Sequence, residues 1–162
     1  MMIFLAAFVT ISLMILLTAL YVGAEFATVA ARRTRIGQMA AQGDPLARML
    51  LPYLEDSRKL DRYVAACQVG ITISSLVLGA YAQGAIATRL VEPLSNLLGA
   101  VVSPTTAVRL GTSISVIGVL IFITALQVIL GELLPKSLAL QNPEGLARAV
   151  VWPMRLSLLL FA

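Results

Sequence analysis

The chain has 162 residues, 59% of them hydrophobic and 12% charged, with a mean hydropathy of +0.93 and a formal net charge of +4. Such a composition excludes a water-soluble domain and points to an integral membrane protein. The single cysteine, Cys67, excludes an internal disulfide, and with no histidine and no cysteine pair a zinc site is disfavoured.

Charges are segregated along the chain. Residues 1–23, 63–88 and 110–131 contain no Asp, Glu, Lys or Arg, and each run is long enough to cross about 30 Å of hydrocarbon as a helix. Strands of a β-barrel alternate polar and apolar residues and are about half as long. The expected fold is therefore all-α and membrane-embedded: one transmembrane domain over residues 1–162, with spans at about 2–28, 63–88 and 108–134 and juxtamembrane amphipathic helices at about 30–58 and 143–162. The basic residues follow topology and do not form a nucleic-acid surface. Arg32, Arg33, Arg35, Arg48, Arg58, Lys59 and Arg62 lie between the first two runs, and Lys136, Arg148 and Arg155 follow the third. The positive-inside rule then places the N-terminus outside and the first loop and C-terminus in the cytoplasm of a multi-pass cell-membrane protein.

The first run has two readings. Val22-Gly23-Ala24 loosely resembles a signal-peptidase site, but there is no basic n-region, the run is too long, and Arg32-Arg33-Thr34-Arg35 follows it, so a retained span is expected. Glu25, about one turn inside the cytoplasmic end, is either an interfacial carboxylate paired with Arg32 or Arg33 or a charge lining an inward-opening cavity. Asp44-Pro45 has the form of a helix cap followed by proline at the first helical position. The helix it starts, with Leu46, Met49, Leu50, Tyr53 and Leu54 at helical spacing and a kink at Pro52, is expected along the membrane surface. Packing on a cytosolic domain outside this chain is the competing account.

In the second run Gln68, Thr72, Ser75 and Gly79 recur at i, i+4, i+7 and i+11, along one helical face, with Ser74 displaced to its border. Small and hydroxylated residues on such a face serve close helix packing or line a cation path. Residues 92–106, with Pro93, Gly99 and Pro104, read as a short external or re-entrant piece.

The third run ends in Gly131-Glu132-Leu133-Leu134-Pro135-Lys136. An ionisable residue in a span costs about 2.5–3.5 kcal/mol on insertion scales and is functional by default. Pro135 has no N–H, so in an α-helix the Gly131 carbonyl loses its partner, and glycine leaves that oxygen accessible. A free carbonyl and the Glu132 carboxylate at neighbouring residues are the parts from which membrane proteins build cation sites. The plainer alternative is a proline kink with Glu132 paired to Lys136 at i+4. Lys136 marks the cytoplasmic boundary in either case. Asn142-Pro143-Glu144 then starts a last helix, with Trp152 between Arg148 and Arg155 at an interface. The apolar ending suggests a fragment of a longer protein.

The available ligands are all oxygens, a set that suits magnesium or sodium. No nucleophile with a nearby base, phosphate loop or catalytic carboxylate pair is visible, so no enzyme is expected. Glu25-Phe26-Ala27, Arg32-Arg33-Thr34-Arg35, Gln68-Val69-Gly70-Ile71-Thr72 with Ser75 and Gly79, and the block from Leu130 through Gly131-Glu132-Leu133-Leu134-Pro135-Lys136 to Asn142-Pro143-Glu144 resemble the transmembrane domain of the CorC/cyclin-M (CNNM) magnesium transporters. The resemblance covers essentially the whole chain. It implies three spans plus a juxtamembrane helix, a homodimer in the bilayer, a dehydrated Mg²⁺ site, export coupled to Na⁺ as a second ion, and cytosolic ATP-binding CBS domains that lie outside this chain. By position, Glu132 and Gly131 match the third-helix motif and Thr72, Ser74 and Ser75 the polar second helix, bordered by Gln68. Many relatives have serines where Val22 and Ala24 stand, so the first helix is expected to contribute Glu25 or a carbonyl around Gly23 and Ala24. A non-transporting magnesium sensor that regulates another transporter is the alternative function.

Overall fold

The computed structural model describes residues 2–161, with side-chain surroundings for residues 5–160; Met1 and Ala162 lie outside the described residues. The described residues contain no strand. Helix α1 (Met2–Ala30) is the first span. Short helices α2 (Arg33–Ala41) and α3 (Pro45–Glu55) follow. Helix α4 (Ser57–Ala82) runs through a π-wound turn, Gln83–Ala87, into α5 (Thr88–Leu98). Helix α6 (Pro104–Leu126) likewise passes through a π-wound segment, Gln127–Leu133, into α7 (Leu134–Gln141), and α8 (Pro143–Phe161) closes the domain. Three stretches are long and apolar enough to cross a membrane: Leu5–Ala30, Ser57–Leu98 and Pro104–Gln141.

Two boundaries differ from the sequence expectation, for local reasons. The second span begins at Ser57 because Asp56 caps it, its carboxylate accepting from the Arg58 N–H at 3.0 Å. Residues 92–98 are helical and not irregular. Thr88–Leu98 continues the second helix as α5, which turns at Gly99 and packs back on α6. The contact is close because Gly111 has no side chain: a Cβ there would lie 3.1 Å from the Ser95 N and 3.2 Å from the Val91 carbonyl. Ser95 and Ser115 back-bond to Val91 and Gly111 carbonyls at 2.6 and 2.7 Å, which makes their hydroxyls cheap to bury.

Helix α1 is central. It packs on α4, on the π-wound segment of the third span, on α7 and on α8. Toward its first half Ile11 and Ile15 meet Leu78, Ala82, Val119 and Ile123. Toward its second half Ala24 packs with Tyr63, Cys67 and Met154. Val22, Gly23 and Ala24 are mid-helix and buried, not an open peptidase site.

The basic end is built by α2, α3 and α8. Gly43, at φ 98, is the only residue with positive φ among those described and turns the chain into α3. Asp44 caps α3 as the sequence indicates, accepting from Leu46 and Ala47 N–H at 2.9 and 3.1 Å. The apolar stripe of α3 does not stand free for lipid: Ala47 and Leu50 are fully buried against Ile36, Ala139, Ala147 and Val151, with Leu46, Met49 and Leu54 packed around them. Its partners include α2, α7 and α8 of this same chain.

Two ion pairs fasten α8 to this layer: Arg148 with Asp44, and Arg32 Nε with Glu144 Oε1 at 3.1 Å. The Ala47 N–H, then Arg148 and the Leu46 N–H, hold the Asp44 carboxyl below its usual 3.8 against the opposing effect of burial. Burial raises Glu144 most, yet the hydrogen bond and charge of Arg32, the backbone and the charge of Arg35 together bring it below 4.5. Folded values below unfolded ones mean that this stabilisation is present above the unfolded pKa and lost as pH falls through the folded one. The melting temperature in detergent should therefore be nearly flat between about pH 7 and 5 and fall below about pH 4. Asp44→Asn and Glu144→Gln should each flatten the acid limb.

Candidate cation site

Midway along the bundle, polar groups from all three spans meet. Thr18 of α1 is fully buried between the other two. On one side its Oγ1 lies 3.1 Å from Ser74 Oγ, which itself donates to the Gly70 carbonyl at 2.6 Å. On the other side Gly131 is so close that a Cβ there would sit 3.4 Å from Thr18 Cγ2. Ser75, the next residue of α4, accepts a hydrogen bond from Gln127 Nε2 at the start of the π-wound segment. Hydroxyls, an amide and a glycine backbone thus connect α4, α1 and the third span at one level.

The π winding changes the argument about Pro135. The Leu134 N–H bonds to the Ile129 carbonyl, five residues back. In that register the missing N–H of Pro135 faces the carbonyl of Leu130, one residue before the Gly131 oxygen that an α-helix would free. The wide turn holds Gly131 buried and Glu132 half-buried at its end, with Pro135 buried in the first turn of α7. Wide turns of this kind are concentrated at functional sites.

Each residue picked from the sequence has a definite place. Ser74, Ser75, Gly131 and Pro135 are in the contact between spans. Glu132 is beside it, 4.0 Å from Lys136 Nζ, which also sits 4.9 Å from the Phe26 ring centre. The plainer ion pair is therefore present, at a distance too long for a hydrogen bond. Gln68 and Thr72 are on a face of α4 exposed in the single chain, beside Val69, Ile73 and Leu76; Thr72 Oγ1 back-bonds to the Gln68 carbonyl at 2.8 Å. Of the polar stripe, only Ser75 touches the third span in a hydrogen bond. Gly23 and Ala24 are buried inside regular helix, so their carbonyls already have acceptor roles toward residues 27 and 28. Glu25 is half-buried and is not paired with either arginine suggested for it: Arg32 takes Glu144 and Arg33 approaches Glu55 at 3.7 Å. Among the described residues no three His, Cys, Asp or Glu side chains gather. A cation here would have to be held by isolated carboxylates, hydroxyls and carbonyls, the hard-oxygen set.

Thr18 and Gln127 are the residues that sequence reasoning left out of the site. A double-mutant cycle of Gln127→Leu and Ser75→Ala should show coupling of about 0.6–1.7 kcal/mol in thermal or chemical unfolding, the range for buried interhelical hydrogen bonds in membranes. Simple additivity would mean that the two side chains do not share a bond in the folded protein.

Fold and site define an all-α integral membrane domain whose third span is interrupted, at an ionisable residue, by a wide turn. The profile of the cyclin M transmembrane N-terminal domain (CNNM) matches residues 8–162. UPF0053 protein YhdT of Bacillus subtilis is 38% identical over 152 residues, covering 94% of this chain and 31% of that protein. UPF0053 protein sll0260 of Synechocystis is 32% identical over 146 residues, 90% of this chain and 30% of that one. Protein Rv1841c of Mycobacterium tuberculosis is 34% identical over 135 residues, 83% and 35%. The chain belongs to the CorC/CNNM family of membrane proteins. It spans about a third of the length of the curated relatives it matches.

Proposed function

We propose that this domain carries magnesium across the membrane, with Mg²⁺ as cargo held by oxygens at the level of the wide turn. The observation that supports this most is the convergence of Thr18, Ser74 and Ser75 on the π-wound segment that carries Gly131 and Glu132. In this reading Glu132 supplies charge, Ser75 and the carbonyls near Pro135 replace water, and Glu25 attracts the ion from the basic, cytoplasmic end. Thr72 and Gln68, on the open face of α4, join the path when that face is covered in a homodimer. Export driven by inward movement of sodium, an outside N-terminus and regulation by cytosolic ATP-binding CBS domains complete the proposal.

One observation favours the second reading, a sensor that does not transport. Thr18 with Ser74, and Gln127 with Ser75, are bonded to each other, so the spans are joined at this level by protein hydrogen bonds. The full-length protein, reconstituted alone in liposomes with a magnesium-sensitive dye inside and a sodium gradient imposed, separates the two. Sodium-dependent magnesium flux is the expected result. Saturable magnesium binding without flux would replace the transporter by the sensor.

A further inference from the structure

At the basic end, α3, α4 and α8 enclose a cleft of about 570 Å³, a volume in the range of small-ligand sites. Its charged lining is entirely cationic: Arg48 from α3, Lys59 and Arg62 from α4, and Arg155 from α8. Two of these are committed elsewhere, Arg48 donating from Nε to the Ala40 carbonyl at 3.0 Å and Lys59 standing 4.0 Å from Asp56. Arg62 and Arg155 have neither an ion pair nor a hydrogen bond among the described residues. Tyr53 and Leu158 form an apolar lip. Leu159, 83% exposed, lies four residues after Arg155 and so on the same side of α8.

Two free guanidinium groups brought together by separate helices repel each other, and an anion between them removes that repulsion. Guanidinium forks match phosphate oxygens in pairs. The exposed Leu159 beside Arg155 suits an acyl chain and has no use for a soluble anion. We propose that this cleft binds a phosphate-bearing anion, presented as the headgroup of an anionic phospholipid in the adjoining leaflet. The headgroup sits between Arg62 and Arg155, and one acyl chain lies past Leu158 along α8. The site is independent of the one between the spans.

The test measures displacement of acyl-labelled phosphatidylglycerol from the full-length protein in neutral detergent. Unlabelled phosphatidylglycerol should compete at least about tenfold better than phosphatidylcholine, and glycerol 3-phosphate should not compete at matched concentration. The double variant Arg62→Gln/Arg155→Gln should weaken binding at least about tenfold, and Arg62→Lys/Arg155→Lys should recover part of it. Arg58→Gln, a nearby exposed charge outside the cleft, should change it less than about twofold. Circular dichroism melting keeps misfolded variants out of the comparison. Equal weakening by Arg58→Gln, or unchanged binding in the double glutamine variant, would overturn the cleft in favour of diffuse surface charge. Effective competition by glycerol 3-phosphate would overturn the lipid source and assign the pocket to a soluble phosphate.

Discussion

Glu132→Gln is expected to reduce magnesium binding and flux by at least about 100-fold while leaving the fold intact. The amide keeps the size of the side chain and removes its charge. Unit charges about 4 Å apart interact by about 4 kcal/mol at an effective dielectric of about 20, and a divalent ion in direct contact gains more. Each 1.4 kcal/mol is tenfold, so two orders of magnitude is a conservative loss. The structural cost is small, because the partner lost is Lys136 at 4.0 Å, with both side chains about one-third exposed, and such pairs contribute about 0–1 kcal/mol. Lys136→Gln is the matching control. It breaks the same pair but keeps the carboxylate, so binding should stay within a few-fold of wild type. Equal behaviour of the two variants would reduce Glu132 to an ion-pair partner and remove it from the cation site.

The largest effect on stability is expected at Gly111. An alanine Cβ there would meet Ser95 Oγ at 2.5 Å, Ser95 N at 3.1 Å and the Val91 carbonyl at 3.2 Å. The hydroxyl can rotate away, but the two backbone atoms move only if α5 parts from α6. Overpacking of this kind costs about 1–3 kcal/mol, or roughly 2–12 °C in melting temperature for a domain of this size. Gly118, seven residues further along the same helix, has nothing within 4 Å of its would-be Cβ. Alanine there should be neutral or stabilising by up to about 1 kcal/mol through helix propensity. If the two alanine variants melt together, the close approach of α5 and α6 does not hold that end of the domain.

Helix class, span number and caps were legible because each rests on a local rule. Charge-free runs mark the spans, and Asp44-Pro45 and Asn142-Pro143 satisfy backbone groups within a few residues. The site was only partly legible, for two reasons. Reading the third run at 100° per residue cannot reveal a segment wound five residues to the hydrogen bond, as the Leu134 N–H to Ile129 carbonyl bond shows. The stripe on α4 was treated as one face toward one neighbour. In fact Ser75 reaches Gln127, Ser74 reaches Thr18, and Thr72 and Gln68 face outward. Thr18 is a hydroxyl seven residues before Glu25, but Thr10 and Ser12 stand in the same run, so type alone does not single it out. Gln127 stood out by type, yet nothing local says which hydroxyl it meets. For residues 92–106, Pro93, Gly99 and Pro104 suggested irregular backbone, but Pro93 is carried inside a helix and only residues 99–103 turn.

The central position of α1 has a consequence for how the domain is made. Some partners of α1 follow it closely, as α4 does, and others lie at the far end of the domain in α8. Tyr21 Oη bonds to Ser157 Oγ, 136 residues later, and Arg32 waits 112 residues for Glu144. At about 5–20 residues per second, Tyr21 is made roughly 7–27 s before Ser157. Ala24 meets Tyr63 and Cys67 of α4 well before Met154 of α8 is made. The contacts of α1 are thus completed in stages, with α4 first, the third span next and α8 last.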